Sequence, residues 1–202
     1  FPAIHHAAHA GDRGVTRVKP TEGSSGIPGE SPGSRFPFPS AEEDARWMRI
    51  ALAQARAAAA AVEVPVGAVV VGPDGELARS RNLIREAHDP TGHAEMIALR
   101  LAASAVGDAR LREQALYVTL EPCAMCAGAI VLARLRRVVF GAWDPKAGMC
   151  GSLANIVQDP RLNHRVELLG GLLAEECGEV LREFFRAKRT TDSSQSREDA
   201  KT

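Results

Sequence analysis

His93-Ala94-Glu95 and Pro122-Cys123-Ala124-Met125-Cys126, whose first cysteine stands thirty positions after that histidine, are the stretches on which the reading of this chain turns. One imidazole and two thiols supply three ligands of the kind Zn²⁺ prefers, and three protein ligands leave a fourth tetrahedral position for a water. A site left open in this way is catalytic. Zinc brings the pKa of such a water down toward ~7, and a nearby carboxylate that is not a ligand can then move protons. Glu95 suits that second role. Either half alone is weak, since Cys-x-x-Cys also serves as a redox dithiol or as half of a structural zinc site, and His-x-Glu arises often by chance. In this order, each followed by a helical pattern, they read as one site, with a purely structural zinc knot as the competing reading.

The chain around the motif has 202 residues, 45% hydrophobic and 25% charged, enough for one well-packed domain. Lys plus Arg and Asp plus Glu number 25 each, so net charge neither favours nor excludes an acidic partner. No run approaches the ~20 apolar residues that cross a bilayer, and the start lacks a basic n-region followed by an apolar h-region. A soluble, cytoplasmic protein with no membrane association is expected. Cys150 and Cys177, the cysteines outside the pair, read as thiols in a reducing compartment.

Residues 1–40 are rich in Gly, Pro, Ser and His, include Gly23-Ser24-Ser25-Gly26 and Pro37-Phe38-Pro39, and show no sustained apolar period, so a disordered extension is expected. His5, His6 and His9 within it read as solvated. From Ser40, a fitting N-cap, Met48, Ala51, Leu52, Ala55, Ala58 and Ala59 recur at helical spacing. Val66 to Val71 is a β-branched run, Gly72-Pro73-Asp74-Gly75 is turn chemistry, and 77–82 can return as the second strand of a hairpin. Asp89-Pro90-Thr91 then predicts a helix of roughly fifteen residues with His93 and Glu95 in its first turn. Strands at 115–119 and 137–141 flank a helix over 123–133 that Pro122 would begin. A weaker strand at 166–169 precedes a final helix with Leu173, Cys177, Val180, Leu181 and Phe184 on one face. Residues 190–202 are polar and aperiodic, which predicts a flexible tail.

Cys123 and Cys126, three apart at a helix start, can turn both sulfurs toward one point, and the positive helix end favours thiolate. His93 and Glu95 are two apart, which on a regular helix points them to different sides. The difficulty vanishes if the metal lies just beyond the helix N-terminus. The reaction expected of such a site is hydrolytic, and the resemblance of its motif order to the zinc nucleobase deaminases implies that water attacks the amidine carbon of an aminated base, Glu95 protonates the adjacent ring nitrogen, and ammonia leaves.

The order His-x-Glu then Pro-Cys-x-x-Cys is that of the zinc nucleobase deaminases. Thr119-Leu120-Glu121-Pro122-Cys123-Ala124-Met125-Cys126-Ala127-Gly128-Ala129 narrows the likeness, as do Glu63-Val64-Pro65-Val66-Gly67-Ala68-Val69, His88-Asp89-Pro90-Thr91, Arg137-Val138-Val139-Phe140-Gly141 and Gly151-Ser152-Leu153. Together they resemble the bacterial tRNA-specific adenosine deaminase family, from about Ala41 to Arg189. The resemblance implies a cytidine-deaminase-like, three-layer α/β/α fold with a five-stranded mixed sheet over 41–189, and a homodimer. It implies one Zn²⁺ per subunit on His93, Cys123 and Cys126, with Glu95 shuttling protons. The implied reaction is conversion of the wobble adenosine to inosine in a tRNA anticodon stem-loop, arginine tRNA being the expected substrate.

The resemblance also assigns substrate contacts to Val64 and Pro65, to Asn82 and the Ala94 backbone N–H at the base, to Asp144 and Lys146 in a loop beyond the fourth strand, and to Phe184, Phe185 and Arg186 on the last helix. Trp143 stands where the family often has a smaller or basic residue. Arg134, Arg136 and Arg137 form a second basic cluster, readable as a solvated turn or as an RNA contact. The alternative function is a free-base or nucleoside deaminase of the guanine or cytosine type, and a more distant one is a zinc-stabilised, non-catalytic RNA-binding subunit.

Overall fold

The computed structural model describes residues 39–199. The extension expected over 1–40, with its three histidines, falls outside these residues as far as residue 38. The first helix, α1, spans Ala41–Ala60 and starts on a capping box: the Ser40 hydroxyl accepts from Glu43 N at 3.2 Å while the Glu43 carboxylate accepts from Ser40 N at 2.8 Å. The predicted stripe of Met48, Ala51, Leu52, Ala55 and Ala58 is its buried face.

Five strands follow in chain order: β1 Gly67–Gly72, β2 Gly75–Arg81, β3 Ala115–Leu120, β4 Arg137–Ala142 and β5 Glu167–Gly170. They form one sheet in the order β2-β1-β3-β4-β5. The β1–β2 and β1–β3 pairs are antiparallel, whereas β3–β4 and β4–β5 are parallel, so the sheet is mixed. Helices α2 (Ala94–Val106), α3 (Ala124–Leu132) and α4 (Ala174–Asp199) complete the fold. The last continues through 190–199, the stretch whose composition predicted a flexible end.

Alternation along the strands divides the core in two. Ala68, Val70, Leu116, Val118, Val138 and Phe140 pack with α2 and α3 residues such as Ala98 and Ile130. Val69, Val71, Ala115, Tyr117 and Val139 face α1 and α4, meeting Met48, Leu52, Cys177 and Val180. Because β1, β3 and β4 are covered on both faces, their sequences read as continuous apolar runs. The result is the three-layer α/β/α arrangement expected. Cys177 is 1% exposed among these apolar neighbours, the buried hydrophobe its helical position suggested.

Two close approaches set the spacing of the α1/α4 layer. A Cβ on Gly67 would lie 2.1 Å from Ala51 O, so β1 meets the α1 backbone directly, and a Cβ on Gly141 would lie 2.4 Å from Cys177 Sγ. At the end of β4 remote from the cysteine motif, Arg137 is not a solvated cation. It is buried, with Nη1 and Nη2 donating to Asp44 at 2.7 and 2.9 Å and Nε pairing with Glu167 at 3.0 Å, while the Tyr117 hydroxyl donates to Asp44 Oδ1 at 2.7 Å. The basic cluster therefore divides, since Arg134 is half-buried and donates to Asn163 O at 3.3 Å. The sequence could not show this because Asp44 lies far away in α1. Asp44→Ala would leave a buried guanidinium and a buried phenol short of their acceptor. The variant is expected to lose about 3 kcal/mol in denaturant unfolding, and a loss within error of zero would contradict this account.

Candidate active site

Two helix starts converge at the carboxyl ends of the parallel strands, the usual location of ligand sites in open α/β sheets. The Asp89-Pro90-Thr91 segment does not begin α2 as expected. It forms a turn in which Asp89 Oδ1 accepts from Thr91 N at 2.8 Å and from the Thr91 hydroxyl at 2.7 Å, with Gly92 N donating to Asp89 O at 2.9 Å. His93 is the N-cap of α2, extended at φ −73° and ψ 146°. Cys123 is likewise the N-cap of α3, at φ −74° and ψ 177°, and Pro122 precedes that helix instead of opening it. Neither side chain caps its own helix, so each is available to face the other. The separation of His93 and Glu95 on opposite sides of a helix never arises, because only Glu95 is helical.

His93, Cys123 and Cys126 place their ligand atoms within 4.8 Å of one another. His93 Nδ1 lies 3.7 Å from Cys123 Sγ and 3.5 Å from Cys126 Sγ. With Zn–N and Zn–S bonds of usual length at a tetrahedral angle, nitrogen and sulfur ligands stand ~3.6 Å apart. The three residues fit a metal ion of that kind. Their electrostatics agree: the Cys126 thiol donating to Cys123, helped by His93, holds Cys123 down at about 3, while the same bond and burial push Cys126 far up. The bond to Cys123 raises His93. A Cys123 held as thiolate beside the Cys126 thiol and the His93 imidazole is a donor set suited to a cation.

Glu95 is 3% exposed and its Oε2 has no hydrogen-bond partner among the described residues. Burial holds its carboxyl above the usual range. Beside it opens a cleft of about 220 Å³, lined by Val64, Asn82, His93, Glu95, Cys123 and Asp144 among the residues singled out in sequence. Asn82 is buried, and its Oδ1 accepts the Ala94 N–H at 2.9 Å. That bond caps α2 and leaves the Asn82 NH₂ as the group with donors to spare.

The remaining sequence candidates lie elsewhere. Pro65 is buried behind Val64, and Lys146 is exposed next to the cleft, its N–H accepted by Asp144 Oδ1 at 2.9 Å. Phe184, Phe185 and Arg186 sit on α4 and do not line the cleft. The two rings pack edge to face with centroids 5.4 Å apart, and Arg186 pairs with Glu179 at 3.8 Å. Neither ring fills the core, contrary to what the apolar face of the last helix suggested: Phe184 is half-buried and Phe185 is 41% exposed.

Residues not singled out as contacts also form the walls: Val66, Ile84, Leu120, Glu121 and Ala147. Two buried carboxylates stand behind them. Glu63 Oε1 accepts from Arg85 N at 2.7 Å and Glu86 N at 2.8 Å, fixing the loop that carries Ile84, and Glu121 engages the loop that carries Asp144. The available signal was a carboxylate at the edge of an apolar run, as in Leu120-Glu121-Pro122.

The model of the MafB19-like deaminase family matches residues 42–189, which defines the class. The tRNA-specific adenosine deaminase of Bacillus subtilis (strain 168) is 47% identical over 147 residues, covering 73% of this chain and 91% of the relative. That of Agrobacterium fabrum is 46% identical over 150 residues, covering 74% and 99%. A solved structure from work on A-to-I editing by tRNA deaminases at the wobble position of transfer RNA aligns with a TM-score of 0.65 at 45% identity, covering 67% of this chain and 99% of that one. The chain belongs to the tRNA-specific adenosine deaminase family and is a deaminase. The fold is shared more widely: a guanine deaminase from Nitrosomonas europaea aligns with a TM-score of 0.61 at 24% identity.

Cys123→Ala removes one of three ligands, so purified variant protein is expected to carry well under half the metal of the wild type by elemental analysis. Full occupancy would refute the ligand set.

Proposed function

We propose that this chain is a zinc-dependent tRNA deaminase that converts the wobble adenosine of an anticodon loop to inosine, with arginine tRNA as substrate. The observation that carries the reading is the Glu95 oxygen, without a hydrogen-bond partner among the described residues, beside a His-Cys-Cys group at two convergent helix starts. Zinc held by His93, Cys123 and Cys126, one ion per subunit, would supply activation of a water near neutral pH.

The chain's own residues do the rest. Glu95 accepts one proton from the attacking water and delivers it to the ring nitrogen beside the carbon under attack, then takes the second from the hydroxyl now on that carbon and passes it to the departing amine. Its burial keeps a neutral carboxyl accessible for those transfers. The Asn82 NH₂ donates to a ring nitrogen of the flipped purine, while Val64, Val66, Ile84 and Leu120 provide apolar walls that exclude water around it. In this structure the Ala94 N–H is engaged by Asn82, so its part in holding the base is through that residue. A base in an anticodon loop is already largely unpaired, which makes extrusion cheaper than from a duplex.

In the same proposal Asp144, which lines the cleft, and exposed Lys146 beside it meet the neighbouring nucleotides, while buried Pro65 acts by holding Val64 at the cleft wall. Exposed Phe185 and Arg186 offer a stacking face and a phosphate contact outside the cleft. A homodimer belongs to the same proposal, supported by apolar side chains that a single chain leaves uncovered: Leu101 at 50% and Val106 at 40% on α2, and Leu132 at 81% on α3. Among the described residues no helix is long and apolar enough to cross a membrane. A cytoplasmic location is proposed from the tRNA substrate and from four unpaired thiols.

The test is incubation of purified, zinc-replete protein with transcribed arginine tRNA bearing adenosine at the wobble position. Site-specific inosine is the expected product, and its absence with turnover of free guanine would replace the reading with a small-molecule deaminase. Glu95→Gln should keep metal and fold while the rate falls by about 10³-fold; undiminished turnover would rule out the proton-transfer role.

A further inference from the structure

Glu121 comes directly after β3 and is followed by Pro122 and Cys123. It is 2% exposed, its N–H donates to Ala142 O at 2.9 Å, and among the described residues its carboxylate bonds to one loop. Oε1 accepts from Cys150 N at 3.0 Å and Ser152 N at 2.9 Å; Oε2 accepts from Asp144 N at 3.0 Å and from the Ser152 hydroxyl. Gly148 comes so close that a Cβ there would lie 2.2 Å from Oε2, and a β-bridge joins Gly148 to Cys123. Met149 N adds a bond to Pro122 O at 2.9 Å. The 144–152 loop is therefore wrapped around one carboxylate and laid on the segment that carries a metal-binding sulfur.

A buried carboxylate is costly to retain, and an apolar side chain would serve a loop that needed only packing. What the carboxylate adds is direction, because four donors approaching two oxygens fix both position and tilt. The loop so fixed contributes Asp144 and Ala147 to the cleft, and Glu121 itself lines it. Asp144 then spends Oδ1 on Lys146 N and Ala147 N, carrying the constraint into the turn beyond.

We propose that Glu121 is a positioning residue for the deamination: it clamps the substrate-facing 144–152 loop at a fixed distance from the metal-binding turn, so that the base enters the cleft in one orientation. The substrate in this statement rests on the tRNA reading above, whereas the clamp itself does not.

Glu121→Gln discriminates. The amide has one oxygen, which keeps most bonds by staying at the Oε1 position and accepting from Cys150 and Ser152. The new NH₂ then faces the Asp144 N–H, and the Ser152 hydroxyl can turn to accept, so Asp144 alone loses its acceptor. With an arginine-tRNA anticodon stem-loop as probe, kcat/KM is expected to fall about tenfold, more through KM than kcat, with metal content at the wild-type level. Hydrogen exchange in residues 142–153 should quicken. Faster exchange with unchanged KM and kcat would reduce Glu121 to a structural role and overturn the proposal, as would metal lost in step with activity.

Ser152→Ala removes one donor but keeps the Asp144 bond, and should raise KM by a smaller factor; an equal or larger rise overturns the assignment to Asp144. If Glu121→Gln does not fold, Ser152→Ala decides alone, a raised KM with faster exchange supporting the clamp and an unchanged KM overturning it. If the wild type forms no inosine, the substrate reading fails, and the clamp is judged by exchange in Glu121→Gln, where an unchanged rate overturns it.

Discussion

Everything chemical in this molecule depends on two helices beginning at the same point. An N-cap residue is half outside its helix, with extended backbone and a side chain that ordinarily turns back to accept from the first free N–H groups. His93 and Cys123 occupy that position in α2 and α3, and neither turns back. Their side chains point into the gap between the helices, where Cys126 joins them from the first turn of α3. The α2 start is capped from outside by Asn82, whose oxygen takes over the duty the histidine has given up. Both positive helix ends face the thiols, which lowers the cost of charge there. The sheet makes this possible, since its parallel strands deliver Cys123 and Asp144 to the same edge.

The layers of the fold were legible because their physics is local. Alternation in β1, β3 and β4 and the three-four spacing in α1 follow from burial on one face or two, and a chain of this length writes that pattern openly. The site was legible for a different reason: zinc chemistry limits the residue types, and helix starts limit their spacing. The start of α2 was misread because Asp89-Pro90-Thr91 carries the same residues that open helices. An aspartate accepting from a residue two positions on builds a turn from those letters instead, and that turn closes through Gly92, which donates to Asp89 O and accepts from Leu83 N.

Buried charge was the least legible part. Asp44, Glu63, Glu121 and Arg137 look in sequence like surface residues, and each is buried because its partners arrive from elsewhere in the chain. Asp44 and Arg137 are 93 residues apart, and Glu121 meets donors 23 to 31 residues ahead. No periodicity records such a pairing. The basic cluster at 134–137 illustrates the point, since one arginine of it became the polar centre of the sheet's far end.

Gly141 and Cys177 share a single volume: the thiol of the helix fills the place a side chain on the strand would occupy. Neither position is free to change on its own. Enlarging residue 141 meets Cys177 and also the Thr119 carbonyl at 2.8 Å, so shrinking residue 177 gives only part of the room, and shrinking 177 alone opens a cavity over β4. Substitutions at the two sites are therefore expected to be non-additive. A cysteine that does no chemistry can still be held in place for as long as a glycine stands opposite it.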